Sequence, residues 1–300
     1  MPKLMPIFTI VTPSYNQGRF IGETIQSVLS QRGDFFIDYI VMDGGSSDNS
    51  LDVIKTYEEM LQDSSTILVG NGVKFYVNKT RNSQYNRCKG ISYRWMAEKD
   101  NGQVHAVNRG LQRANGSIYS YLNSDDLYYP DTLAQVAEYD WEKIDFLYGT
   151  GMWISKAGRS ILPYPTYKPA KHSLYYECTL CQPAVFIKGS TFRELGDFST
   201  EYTCIFDYEY WLRAVFAGKK FVSSKKLFAK SRMYYENKSL TNSATVDEEK
   251  IALLGKYYNS KKPSLPALLF SGLIVKRQTA KRTGELHGFL CKAQSGNTLS

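Results

Sequence analysis

The chain has 300 residues, 43% of them hydrophobic and 22% charged. That composition excludes a disordered or fibrous protein and allows one large domain with a sizeable core. The formal net charge of +8 sits in the tail: residues 256–300 hold eight Lys/Arg and one acid, leaving the rest close to neutral. Five scattered cysteines make no disulfide framework, and Cys178-x-x-Cys181 lacks a second pair at zinc spacing. With no signal-peptide pattern and no apolar run of the ~18–20 residues that span a bilayer, the expected setting is cytoplasmic and reducing.

In chain order, residues 7–12 (Ile-Phe-Thr-Ile-Val-Thr) are apolar and β-branched, a buried first strand. After the loop 13–18, residues 20–31 place Ile21, Ile25, Val28 and Leu29 at helical spacing, and Gly33 closes the helix. A second strand, 36–42, runs into Asp43-Gly44-Gly45-Ser46-Ser47-Asp48, and 51–61 is a second amphipathic helix. This β-loop-α-β-loop-α order predicts parallel strands with right-handed crossovers. A strand near 74–77 followed by a basic surface insertion, a strand at 91–95 and a helix at 104–114 ended by Asn115-Gly116 come next. Residues 118–122 are a short buried strand that stops at Asn123-Ser124-Asp125-Asp126.

Beyond Asp126 the pattern predicts a helix at 133–139, a hairpin over 146–154 and 160–162, a Pro/Tyr-rich connector at 163–169, and a strand at 182–187. Helices are expected at 190–195, 207–217 and 246–257. Residues 265–275 are nearly all apolar and are followed by basic pairs, Lys276-Arg277 and Lys281-Arg282. Such a segment suits either an interfacial helix on an anionic membrane through 261–300 or a terminal helix packed on the domain. The basic residues lack interleaved stacking aromatics, so nucleic acid is not an expected partner.

Three acidic loops, at Asp43, Asp100 and Asp125-Asp126, are expected at the carboxyl ends of strands in one sheet, where open α/β folds bind ligands. A fourth acidic group, Asp207 with Glu209, opens a later helix. Each has an ordinary explanation as a turn or a helix cap. Two adjacent carboxylates repel unless a positive charge attends them, and a hard divalent cation shared with phosphates is the usual answer.

The segments Thr9–Asn16, Tyr39–Ser50, Asp100–Gln103 with Ala106–Gly110, and Leu122–Asp126 together resemble the inverting GT-A glycosyltransferases of family 2. The likeness covers about residues 7–240. It implies a Rossmann-like, mostly parallel α/β sheet flanked by helices. Residues 1–126 would form a nucleotide-sugar-binding half, 127–245 an acceptor-binding half of the same domain, and 246–300 a basic helical tail. It implies transfer of a sugar from a nucleotide-diphosphate sugar, UDP-linked by preference, to a saccharide or lipid-linked saccharide, as in bacterial surface-polysaccharide or lipopolysaccharide assembly at the inner face of the plasma membrane. Thr12, Pro13 and Tyr15 would line the nucleoside, with Asp43 and Asp100 on the base or ribose. Gln103, Asn108 and Arg109 would lie by the ribose and diphosphate, and Asn123 and Ser124 beside Asp125. The resemblance makes Asp125 and Asp126 the ligands of Mn²⁺ or Mg²⁺, Asp207 the general base with Glu209 in reserve, and Gln182 and Trp211 the acceptor side. Tyr234 stands where many relatives carry a metal-binding His, and a phenol is a poor Mg²⁺ ligand. A metal-dependent nucleotidyltransferase and a non-catalytic sugar-nucleotide-binding subunit are the alternatives.

Overall fold

The computed structural model describes residues 5–62, 65–69, 73–77, 85, 87–236 and 241–258. The amino-terminal half runs β1 (Ile7–Ser14), α1 (Ile21–Leu29), β2 (Phe36–Asp43), α2 (Ser50–Gln62), β3 (Ser65–Val69), β4 (Val73–Val77), β5 (Gly90–Ala97), α3 (Gln103–Leu111) and β6 (Ile118–Tyr121). There follow β7 (Leu127–Tyr128), α4 (Thr132–Ala137), β8 (Phe146–Ile154), β9 (Ser160–Pro163), α5 (Lys171–Leu174), β10 (Val185–Lys188), α6 (Gly189–Leu195), α7 (Phe206–Phe216), β11 (Phe221–Arg232) and α8 (Ser243–Tyr258).

All the strands join one sheet in the order β3-β4-β5-β2-β1-β6-β10-β8-β11-β7, with β9 on β8. β5, β2, β1 and β6 are mutually parallel, so Ala97, Asp43, Ser14 and Tyr121 end at one edge of the sheet. β10 enters antiparallel to both β6 and β8. One sheet therefore crosses the boundary expected at residue 126.

The near-continuous apolar runs reflect burial on both faces. Every residue of β2 is buried. Its alternation sends Ile37, Tyr39 and Val41 to the layer of α1 and α2, where Ile21, Ile25, Val28 and Ile54 pack. Ile40 and Met42 face the other layer, with Val104, Val107, Trp211 and Leu212 of α3 and α7. This is the strand period of two meeting the helix period of 3.6 across both faces. Gly110 lets α3 lie directly on β1: a Cβ there would stand 2.5 Å from Val11 Cγ1.

Three local expectations change. The segment expected as a strand from 182 begins as a 3₁₀ turn, Gln182–Ala184, and the strand starts at Val185, because Pro183 has no N–H for a ladder. Asp207 is not the cap of α7; the helix begins at Phe206, and Asp207 lies in its first turn. β11 escapes the sequence reading. Its run of charge at Lys225-Lys226 and its register shifts between Ser223 and Ala229 break the alternation that marks a strand. The apolar stretch at 265–275 and the membrane contact expected of 261–300 lie outside the described residues. No helix among the described residues is long and apolar enough to cross a membrane.

Candidate active site

The parallel strand ends open into a cleft of 850 Å³. Its first wall is two loops clamped together. Asn16 donates its backbone N–H to Ser46 Oγ at 2.8 Å, and its side-chain oxygen accepts the Ser47 N–H at 2.8 Å. Asn16 adopts φ 53° to make both contacts, a left-handed conformation that Asn tolerates better than most residues. Gly18 N–H donates to Asp48 Oδ2 at 2.9 Å, completing the clamp. Pro13 and Tyr15 reach the cleft from this wall. Tyr15 is 62% exposed, an aromatic face open to a ligand.

Asp100 and Gln103 line the cleft from the start of α3. Asp100 Oδ1 accepts the Gly102 N–H at 2.8 Å, and a Cβ on Gly44 would stand 3.0 Å from Asp100 Oδ2. A glycine at 44 lets that carboxylate close against the β2 loop without displacement. Gln103 Nε2 donates to Asn123 Oδ1 at 2.7 Å, joining the α3 start to the acidic corner.

That corner follows β6. Asn123, Ser124, Asp125 and Asp126 all line the cleft. Asp126 is held from behind: Oδ1 accepts the Arg232 backbone N–H at 2.9 Å and Oδ2 lies 3.3 Å from Asn123 Nδ2. Asp125 Oδ2 accepts the Tyr234 hydroxyl at 2.9 Å. Burial raises the pKa of both carboxyls, that of Asp126 well above the ordinary range; Asp125's charge pushes Asp126 further in the same direction. Arg232 works against this from below. Its guanidinium is 1% exposed, donates to the Asp125 carbonyl oxygen at 2.9 Å and pairs with Glu23 at 2.8 Å.

Such a buried acidic pair is a hard-oxygen set suited to a divalent cation. Asp125 is the member with an oxygen to spare, whereas Asp126 is fixed by its neighbours. Among the described residues no group of three or more His, Cys, Asp or Glu is placed to hold a metal. The pair fits a metal only as part of a coordination sphere that phosphate and water would complete. Replacing Tyr234 by Phe should leave an Asp125 oxygen without its donor and destabilise the protein by about 1–2 kcal/mol; a lowered denaturant midpoint at unchanged slope is the expected reading.

The far wall belongs to the second half of the chain. Asp207 lines it, beside Phe206, Cys181 and Gln182. Burial raises the Asp207 carboxyl to about 6. Burial first, and the Asp207 charge next, raise the Tyr121 phenol and the Cys178 thiol, which locates these groups around the carboxylate. Gln182 Nε2 donates to the Tyr121 carbonyl at 2.8 Å.

Six expected site residues do not face the cleft. Thr12 is fully buried and shares a 3.0 Å hydrogen bond with Tyr39. Asp43 turns back on its own loop, accepting the Gly45 and Ser46 N–H groups at 3.0 and 2.7 Å; it shapes the loop. Asn108 is spent on the Phe198 backbone, donating and accepting at 2.8 and 3.0 Å. Arg109 pairs with Glu98. Glu209 is 3% exposed, bonded to Arg213 at 2.8 Å and to the Tyr257 hydroxyl at 2.7 Å, so it fastens α7 and α8. Trp211 is 1% exposed and packs edge-on to Phe146. On α7 the helix period turns Glu209 away from Asp207, whereas Trp211, one turn further on, is held in the core by Phe146 and Tyr210. Sequence reading also passed over cleft residues, chiefly Lys99, Trp153, Tyr164 and Glu236, and the Arg232 hub. Of these only Lys99 adjoins a motif segment, at Asp100; the others carried no local signal.

A doubly flanked sheet whose parallel strand ends meet an acidic corner, facing a lone carboxylate across one cleft, defines a GT-A glycosyltransferase fold. The Glycosyl transferase family 2 profile matches residues 9–192, and the chain belongs to that family. It is similar to a PGL/p-HBAD biosynthesis glycosyltransferase of Mycobacterium bovis, 25% identical over 69% of each chain. It is also similar to the putative teichuronic acid biosynthesis glycosyltransferase TuaG of Bacillus subtilis, 25% identical over 60% of this chain and 59% of that one. Among solved structures, S. aureus TarS 1-349 in complex with UDP-GlcNAc superposes with a TM-score of 0.59 at 15% identity, covering 97% of this chain and 76% of that one. The mannosyltransferase PcManGT of Pyrobaculum calidifontis, in complex with GDP-Man and Mn²⁺, gives 0.58 at 14% identity, over 99% and 78%.

Proposed function

We propose that this glycosyltransferase moves a sugar, with inversion, from a nucleotide-diphosphate sugar to a saccharide or lipid-linked saccharide acceptor, in the assembly of a bacterial surface glycan such as a polysaccharide or lipopolysaccharide. The observation that carries the reading is that the adjacent Asp125 and Asp126 and the sequence-distant Asp207 line one cleft. Solved relatives of the same fold hold UDP-GlcNAc or GDP-Man, and we favour a UDP-sugar.

Residues up to 126 bind the donor: Tyr15 and Asp100 receive the nucleoside, Gln103 and Asn123 orient the corner, and Asp125 faces the diphosphate. Mn²⁺ or Mg²⁺ bound at Asp125 would neutralise the charge that builds on the leaving diphosphate. Residues 127–245 bring the acceptor. Asp207 takes the proton of the acceptor hydroxyl as its oxygen bonds to the anomeric carbon and the bond from that carbon to the diphosphate breaks. Gln182 borders the same approach. The work is placed on the inner face of the plasma membrane, with the basic tail 261–300 against anionic lipid. Transfer from each UDP-sugar, with the anomeric coupling constant of the product read by NMR, tests this. A product of opposite anomeric configuration to the donor is expected, and a retained configuration would overturn the reading.

The donor side has a separate readout. Nucleoside diphosphates with Mn²⁺ should raise the thermal midpoint, since at about 100 times Kd a ligand adds about 2.7 kcal/mol to the folded state. Chelator should remove most of that shift; a shift insensitive to chelator would count against a metal at Asp125.

A further inference from the structure

The charge inventory of the cleft is one-sided. Of the described residues that line it, five are acidic (Asp100, Asp125, Asp126, Asp207 and Glu236), and Lys99 alone is basic. Lys99 belongs to the Asp100 loop, on the nucleoside side. Basic residues bordering the rest of the cleft are already paired. Arg232 lies beneath the acidic corner, bonded to Glu23 and to two backbone oxygens. Lys156 pairs with Glu236 at 2.9 Å, and Lys250, on the α8 side of Asp207, pairs with Glu177 at 3.0 Å.

The wall around Asp207 is apolar and aromatic instead. Trp153 and Tyr164 meet edge to face with ring centres 5.1 Å apart, and Leu180, Phe206 and Met233 extend the surface. Burial above all, with the Cys178, Cys181 and Asp207 charges adding to it, raises the Tyr164 phenol, so this ring is a neighbour of the carboxylate. Gln182 contributes the polar contact. Its Nε2 is committed to the Tyr121 carbonyl at 2.8 Å, and its buried Oε1 has no hydrogen-bond partner among the described residues. That oxygen can only accept.

We infer that the acceptor is an uncharged saccharide, bound by an apolar ring face against Tyr164, which Trp153 backs from the core, with a hydroxyl or amide N–H given to Gln182 Oε1, and that acceptors carrying a carboxylate or phosphate on the reacting residue are rejected. The inference rests on the transferase reading above and adds the acceptor's class. A uronate or phosphate placed here would meet Asp207 with no cation among the described lining residues to answer it. Like charges a few ångströms apart at a half-buried site repel by a few kcal/mol, and each 1.4 kcal/mol is a factor of ten in binding. The electron-rich face of an aromatic ring matches the axial C–H face of a neutral hexose.

The test uses matched probes on the full chain: octyl β-D-glucoside, galactoside and mannoside, each against its octyl uronide. Saturation-transfer NMR, with UDP and diamagnetic Mg²⁺ present, reads binding whether or not turnover occurs. At least one neutral member should bind ten-fold or more tighter than its uronide, with the strongest transfer to its ring C–H protons. Equal binding, tighter binding of the uronides, or no binding of any neutral probe at 10 mM (chosen as about the weakest affinity of interest) would overturn the inference. The donor reading fails separately, through absence of a UDP-dependent thermal shift.

Discussion

Asp207→Asn should cut transfer by about 10³-fold while leaving donor binding intact, because a positioned general base contributes about 10²–10⁴-fold. The amide keeps the volume and the contact to Tyr208 N–H, made at 2.8 Å in the wild type, but cannot take a proton. The wild-type rate should rise with pH through about 6, where this carboxyl ionises in the folded protein, and the variant's residual rate should lose that step. Stability carries the opposite sign. The folded-state value lies above the ordinary 3.8, so folding is favoured by the protonated form. That contribution is present at low pH and is lost as pH rises from about 4 through 6. Asp207→Asn should therefore melt higher than wild type at pH 7.5 and no higher at pH 4. Wild-type turnover in the variant would remove Asp207 from catalysis; a lower melting point at pH 7.5 would mean that the folded protein stabilises its charged form.

Arg232→Met should be the most destabilising single change near the cleft. The side chain is 1% exposed and ties three segments together: Glu23 of α1, the Asp125 carbonyl and the Lys156 carbonyl, at 2.8, 2.9 and 2.7 Å. Methionine matches much of the volume but supplies no charge. Breaking a buried charged network from one side costs about 3–5 kcal/mol, here because two neighbouring carboxylates lose the cation that offsets them. A fall of about 10 °C in the thermal midpoint is expected for a domain of this size. The pKa of Asp125 should rise further without the guanidinium, so nucleotide affinity at pH 6 should fall more than at pH 8. A melting point within 2 °C of wild type, a margin of about 1 kcal/mol, would show that water replaces the guanidinium.

What was legible in the sequence follows from which forces act locally. Strands buried on both faces must be apolar along their length, so β1, β2 and β6 announce themselves, and the loops that end them carry the acids. The order of those loops pointed to Asp125 and Asp126, and the family resemblance to Asp207; all three line the cleft. Direction of a side chain was less legible. Asp43, Asn108 and Arg109 belong to motif segments, yet their partners are Ser46, the Phe198 backbone and Glu98. Choosing between a ligand and a neighbour requires the tertiary contacts. Glu209 and Trp211 fall outside the cleft for different reasons: two residues along the helix turn Glu209 roughly 200° from Asp207, whereas Trp211, roughly 40° away, is held in the core by Phe146 and Tyr210. The strand β11 was invisible because its pairing with β8 is long-range and its outer face is charged. Arg232 ends this strand, so its part in supporting the acidic corner was hidden, although Tyr234 two residues on was singled out.

The central claim is that one cleft holds a donor against Asp125 and an acceptor against Asp207, two carboxylates with separable tasks. Calorimetric titration of UDP-sugar with Mn²⁺ into wild type, Asp125→Asn and Asp207→Asn measures that separation directly. Wild type and Asp207→Asn should bind alike, and Asp125→Asn should lose ten-fold or more, about 1.4 kcal/mol. Equal loss in both variants, or none in Asp125→Asn, would contradict the account.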